Sequence, residues 1–430
     1  MVTSWPAERA AAATLTGMEA AGSAVTDQRE HDIRTLLARL GAAMIATGQP
    51  VHEIEEELLE VGGHLGYPGV QVGAGPTSIT VAMQEGATAT FESVRATLRL
   101  DQATDVRRIR HQLAHDELDP KQALDQLGAL RSRPPRYPTW VATPAYLAVT
   151  MGIALILQPG WANVALAGVC GAVVVVLIQL SRSSPLLATL LPTVAAFVVA
   201  LIVFGSADAG LIEGPLRTVL PPLAVLLPGA LIVTGMSELA AGQMQAGSAR
   251  LIYGTVQLGL FALGLVAALS LLALPSPMMV NQRVDDIGWV ATPLGLLLIG
   301  VGIVLMEGVP LRMLAWVLLV LLGAFGAQTL GQILGPAGLG GFLGAIAASL
   351  GASLVELRRP QLARLVLFLP AFWLLVPGSL GLVGVTQLVV DPGEALDAGL
   401  GVVAVICAIA LGLLVGSSIG HSLRARLRRD

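Results

Sequence analysis

Two Pro-Gly pairs, Pro228-Gly229 and Pro377-Gly378, interrupt long apolar runs, and each is followed by groups that could hold a small polar ligand. Thr234, Gly235, Ser237 and Glu238 follow the first pair; Ser379, Thr386 and Gln387 follow the second. Proline has no N–H and clashes with the preceding turn, so a helix breaks there and leaves free backbone N–H and C=O groups. Together with the partial charges of helix ends, such a break can hold a zwitterion. Glu238 could exchange a proton or steer an ammonium group if it lies in the membrane. Its alternative place is a loop at the cytosolic surface. Proline and glycine also occur in membrane helices where they only adjust packing.

Other reactive side chains offer weaker patterns. His111 and His115 stand at i, i+4 on one helix face and His52 precedes a run of glutamates, a donor set that a metal could use. No HExxH motif accompanies them, and the pattern reads as a solvated helix face, so no metal or other cofactor is expected. Thr77 and Ser78 could act as hydroxyl nucleophiles only with a base nearby, and none stands at a recognisable spacing. No catalytic residue is assigned. Cys170 and Cys407 sit singly in apolar runs, where they read as small core residues rather than a disulfide or CxxC site.

The elements that must position these groups follow from composition. Of 430 residues, 54% are hydrophobic and 13% charged, about half the charge of a soluble domain. Lipid must therefore solvate much of the chain. About ten apolar segments are near the roughly 20 residues that cross a bilayer as helix: 139–157, 161–180, 185–204, 216–236, 250–274, 289–307, 311–330, 337–355, 362–380 and 398–420. Before them, residues 1–29 read as a disordered leader and 30–133 as a small α+β domain, with a proline-rich linker at 134–138. In that domain Ile33, Leu36, Leu37, Leu40, Met44 and Ile45 have helical spacing, as do Ile54, Leu58, Val61 and Leu65. Ile79, Val81 and Met83 alternate as in a strand, and two or three strands fit between Gly66 and Leu100. Val106, Ile109 and Leu113 return to helical spacing, and Asp119-Pro120 has the pattern of an N-cap and first-turn proline.

Arginine placement sets the orientation. With the N-terminal domain in the cytosol, the inner loops hold Arg182, Arg250, Arg312, Arg358, Arg359 and Arg364, and the basic tail at 421–430 adds four more. The other side holds only Arg217 and Arg283 among several acids, so both termini are expected in the cytosol. Glu307 and Glu356, near helix ends, are expected to snorkel to the headgroups. Asn163, Gln179, Gln257, Gln328 and Gln332 are expected to bond between helices.

The membrane region also matches itself. Trp140-Val-Ala-Thr-Pro144 recurs as Trp289-Val-Ala-Thr-Pro293, 149 residues later. The same offset carries Pro228-Gly229 onto Pro377-Gly378, Gly235 onto Gly384, and Ser237-Glu238-Leu239 onto Thr386-Gln387-Leu388. Residues 139–274 and 289–420 thus read as two five-helix repeats. Because five is odd, the second enters from the opposite face. Inverted repeats with broken helices near the midplane mark secondary transporters that work by alternating access. No Walker A motif is present to suggest ATP-driven transport. Few basic and aromatic groups line the helices, so nucleic acid is not an expected partner. A homo-oligomer remains open.

The run from Leu226 to Leu251, LLPGALIVTGMSELAAGQMQAGSARL, resembles the threonine/serine exporter family. So do Gly41 to Gly48 with the acidic helix after it, and Ile79-Thr-Val-Ala-Met83. The likeness covers about residues 30–420 in the order cytosolic domain, five helices, five helices. It implies export of L-threonine and L-serine by the proton motive force across a bacterial inner membrane, with Glu238 as the candidate proton-coupling group. Related split-subunit proteins are associated with succinate export, so a dicarboxylate is the alternative cargo. The family's soluble domain has been likened to hydrolases, which makes a membrane-anchored hydrolase the third reading.

Overall fold

In the computed structural model, the described residues are 27–94, 96–273, 282–358, 364–375 and 395–427. They form two compact units, one of residues up to Leu98 with Asp105–Arg133 and one of Arg99–Thr104 with the chain from Pro134 onward.

The first unit is a small α+β domain. Helix α1 (27–46) ends where Gly48 adopts a positive φ of 85°, a conformation that costs glycine little. Helix α2 (Val51–His64) buries Ile54, Leu58 and Val61. An antiparallel sheet follows in the order β1 (Gln71–Ala74), β2 (Ser78–Ala82), β3 (Ala89–Ser93), with Val81 opposite both Val72 and Thr90. Ile79 and Val81 point into the core, while Thr80 between them is exposed, the period-two pattern of a half-buried strand. A methyl group at Gly41 would overlap the Ile79 side chain, so its lack of a Cβ lets α1 lie close to β2. Helix α3 (Leu100–Leu113) contributes Ile109 and Leu113 to this core. Helix α4 (Pro120–Ala129) begins as its sequence indicates, with the Asp119 carboxylate accepting from the Lys121 N–H at 3.0 Å.

The second unit is helical: α5 (Ala142–Leu157), α6 (Trp161–Ser181), α7 (Pro185–Asp208), α8 (Pro215–Thr218), α9 (Leu220–Leu223), α10 (Gly229–Ala240), α11 (Met244–Leu272), α12 (Ala291–Met306), α13 (Leu314–Leu334), α14 (Ala337–Arg358), α15 (Arg364–Leu375) and α16 (Ala395–Leu427). Among the described residues, eight helices are long and apolar enough to cross a membrane. Val169, Val176, Leu319, Leu322 and Ile333 are exposed on their surfaces, as lipid-facing positions require.

The ten-segment expectation needs correction at one place. The segment 216–236 is no single span but α8, α9 and the start of α10, because Pro221, Pro222 and Pro228 withhold three N–H donors. The segment 362–380 is described only as the twelve residues of α15. Neither acid near a helix end reaches out as expected. Glu356 on α14 is buried. Glu307 follows α12, and its carboxylate accepts from the Leu100 N–H.

The self-match has a counterpart in the packing. α5 lies on α6 as α12 lies on α13, α6 on α7 as α13 on α14, and α7 on α11 as α14 on α16. Gly264 of α11 abuts the Thr193 carbonyl of α7, and Gly412 of α16 abuts the Phe342 carbonyl of α14, pairs that correspond within one residue at the 149-residue offset. The two helices that open the repeats, α5 and α12, pack on each other. A Cβ at Gly152 would lie 2.8 Å from the Gly295 carbonyl, and one at Gly302 would lie 2.7 Å from that of Ala145. Numbers rise along one helix as they fall along the other. The equivalent helices therefore cross antiparallel, which is the relation an inverted repeat demands.

Candidate functional site

Segment 224–228, between α9 and α10, is the interruption. Ala224 N–H bonds back to the Pro221 carbonyl, and Leu226 and Leu227 N–H both reach Leu223, so the helix tightens into turns before restarting at Gly229. Pro228 and Gly229 are buried at this restart. Twelve residues of α10 span about 18 Å, too short to cross a hydrocarbon layer about 30 Å thick without the elements before the break. From α5, the Tyr146 hydroxyl donates to the Pro222 carbonyl at 2.8 Å and holds one side of the break in place.

From there α10 runs to a tight turn at Gly242, whose φ is 87°, and α11 returns alongside it. The two helices approach at glycine. A Cβ on Gly235 would meet the Gly247 carbonyl and the Leu251 N–H, both at 2.8 Å, and one on Gly247 would meet the Gly235 carbonyl at 2.7 Å. Close backbones of this kind are a common way for membrane helices to associate without a hydrophobic driving force. The Ser237 hydroxyl donates to the Thr234 carbonyl at 2.8 Å, a bond within α10 that leaves the hydroxyl oxygen able to accept.

Glu238 lies in the last turn of the same helix, with 0% of its side chain exposed. It lies in a helix rather than in the loop that follows, buried within the protein. Arg250, from the second turn of α11, is 9% exposed and donates through Nη1 to Glu238 Oε1. An ion pair so placed carries a desolvation cost that its Coulombic attraction must offset. From sequence, Arg250 reads only as an inner-loop charge. The available signal was an opposite charge twelve residues beyond Glu238, across a glycine turn, in otherwise apolar helices.

Of the sequence-derived candidates, Pro228, Gly229, Thr234, Gly235, Ser237 and Glu238 thus share one broken helix. Pro377, Gly378, Ser379 and Gln387 lie outside the described residues. Asn163 bonds between segments as expected, its amide donating at 2.8 Å to both the Glu213 carbonyl and Thr218 Oγ1. Gln158 joins the same layer, donating to the Glu213 and Gly214 carbonyls and accepting from the Val284 N–H. These contacts tie loops together and point to no ligand.

In the first unit, Thr77 and Ser78 lie at the turn into β2, where their carbonyls accept from Val94 and Gly75 N–H. The His111 and His115 rings stack with centroids 4.2 Å apart, and His115 Nδ1 is 2.8 Å from the His111 carbonyl. Among the described residues no group of three or more His, Cys, Asp or Glu side chains could hold a metal ion.

The fold and this broken, ion-paired hairpin define a polytopic α-helical membrane protein with a small α+β domain. Residues 35–272 match the family model described as "Putative threonine/serine exporter". The chain belongs to that family. It is also similar to pheromone-regulated membrane protein 10 of the yeast Debaryomyces hansenii, with 29% identity over 55% of this chain and 24% of the relative. The protein of the same name from Candida albicans is 28% identical over 50% of this chain and 20% of the relative. The chain thus spans about a quarter or less of the length of these curated relatives. No solved structure matches it significantly.

Proposed function

We propose that this chain is a secondary exporter of small hydroxylated amino acids, L-threonine and L-serine, driven by the proton motive force. The observation that carries this reading is Glu238, a fully buried acid in a membrane helix broken at Pro228-Gly229 and held by one arginine. Acids in such places commonly serve proton or substrate pathways. The cargo's ammonium and carboxylate groups would be held at the break and at the polar groups of α10. Two inverted repeats would rock about that point to expose it to each side in turn. The antiparallel crossing of α5 and α12 supports this movement, because two inverted halves would bring their first helices together in that way. The counterpart elements would be Pro377, Gly378, Ser379 and Gln387 at the equivalent place in the second repeat.

Threonine and serine rest on the family resemblance, as does a bacterial inner membrane; the curated relatives named above are fungal. Both termini would lie in the cytosol. A dicarboxylate such as succinate is the second cargo, favoured by the same buried arginine, since a guanidinium recognises a carboxylate whichever molecule bears it. Counterflow in proteoliposomes separates the two. Vesicles preloaded with unlabelled L-threonine, L-serine or succinate take up the matching labelled compound if it is cargo. Exchange of threonine and serine without succinate is the expected result. Exchange of succinate alone would move the chain to the dicarboxylate branch, and transport that neither saturates nor accumulates cargo would indicate a channel.

A further inference from the structure

Three features separate the Glu238–Arg250 pair from the packing that surrounds it. Gly235 and Gly247 bring the two backbones together, and Gly254, whose Cβ would lie 2.7 Å from Ile232, continues the seam. The hairpin is therefore closed by glycine contacts on both sides of the charges. In the second repeat the positions equivalent to Glu238 and Arg250 are Gln387 and Gly399, two residues that cannot form such a pair. Replacing a buried ion pair by apolar groups is often neutral or stabilising. Holding the hairpin together thus gives no reason for this one.

The chemistry of Arg250 gives a reason. A guanidinium offers five donors in a planar fork that fits a carboxylate, and in this structure the carboxylate it holds is the protein's own. Both cargo classes considered above carry a carboxylate. We propose that Arg250 is the receptor for the cargo's carboxylate and that Glu238 occupies it in the absence of cargo. The cargo's carboxylate displaces that of Glu238 from Arg250, and the internal pair re-forms when cargo leaves. One arginine would then serve two carboxylates in turn, the protein's own and the cargo's.

The charged surroundings are few. Glu238 is the sole charged residue of α10 and Arg250 that of α11. Among the described residues α16 also packs on α10, and it carries Asp397 near its start and His421, Arg424 and Arg426 near its end. The inference rests on the transport reading for the existence of a cargo, but not on which carboxylate it is.

The test uses the purified full chain in proteoliposomes, with labelled L-threonine in counterflow and unlabelled L-threonine or L-threoninamide as competitor. The wild type should be inhibited by threonine and not by the amide. Arg250→Gln should raise the half-saturating concentration roughly 30-fold or more, the size expected when one partner of a buried charge pair is removed. It should also abolish the preference for threonine over its amide. Arg250→Lys should fall between. Glu238→Gln, which removes the internal competitor, should lower the half-saturating concentration. Should Arg250→Gln not fold, the double variant Glu238→Gln/Arg250→Gln, which leaves no buried charge, replaces it in the same comparison. An arginine-less variant that still prefers threonine to threoninamide would overturn the proposal, as would a Glu238→Gln variant with a raised half-saturating concentration. A wild type that exchanges succinate alone would remove the amino-acid cargo, and the Arg250 variants would then be read with succinate against succinamide. A wild type that exchanges none of these carboxylates would overturn the transport reading and this one together.

Discussion

At Gly235 a methyl group has nowhere to go, because backbone atoms of Gly247 and Leu251 stand 2.8 Å from where its carbon would be. Backbone cannot rotate aside as a long side chain can, so the hairpin would have to open. Gly235→Ala should cost about 1–3 kcal/mol, the range for overpacking a close contact, and lower the unfolding temperature of the detergent-solubilised protein. Gly259→Ala on α11, where nothing lies within 4 Å of the added carbon, should leave it unchanged or slightly raised. Equal behaviour of the two would refute the tight seam. Residue type and surroundings were enough to single out Glu238 from the sequence. Its partner was not legible in the same way. Arg250 reads as a loop charge if the helix is thought to start beside it, whereas α11 begins at Met244 and carries the guanidinium into the packed hairpin.

Between elements, the decisive feature is the crossing of α5 and α12. If it is antiparallel, positions 149 and 299 are close to one another, since Gly152 contacts Ile299 and Gly302 contacts Val149. Ala142 and Ala291, the first residues of the two helices, would then lie about 21 Å apart along the axes, at 1.5 Å per residue. With Cys170 and Cys407 replaced by serine, Val149→Cys/Ile299→Cys should be joined by a short bismaleimide, and Ala142→Cys/Ala291→Cys should not. The opposite pattern would indicate a parallel pair and exclude inverted repeats. The self-match was legible because its marker residues are not apolar fillers: tryptophan, threonine and proline recur at a fixed distance. Continuity of the fourth segment was not, because hydropathy records composition while Pro221, Pro222 and Pro228 act through their missing N–H groups. The first sheet strand was within the expected number but had no assigned place, since Gln71–Ala74 is too short and too glycine-rich for an alternating pattern.

Across the whole molecule, low charge and long apolar runs make a polytopic membrane protein legible from composition alone, and the eight helices long and apolar enough to cross a membrane among the described residues agree with it. Transport direction, cargo and energy source are of a different kind. They depend on which small groups face a pathway and on how an acid is paired, which no periodicity encodes. The central claim is that export is coupled to proton entry through Glu238. The direct measurement is efflux of labelled L-threonine from preloaded proteoliposomes, with and without acidification of the outer solution, for the wild type and Glu238→Gln. Acidification should accelerate wild-type efflux, as a proton enters for each cargo released, and should have no effect on the variant. A wild type indifferent to the gradient, or a variant that responds to it as the wild type does, would contradict the account.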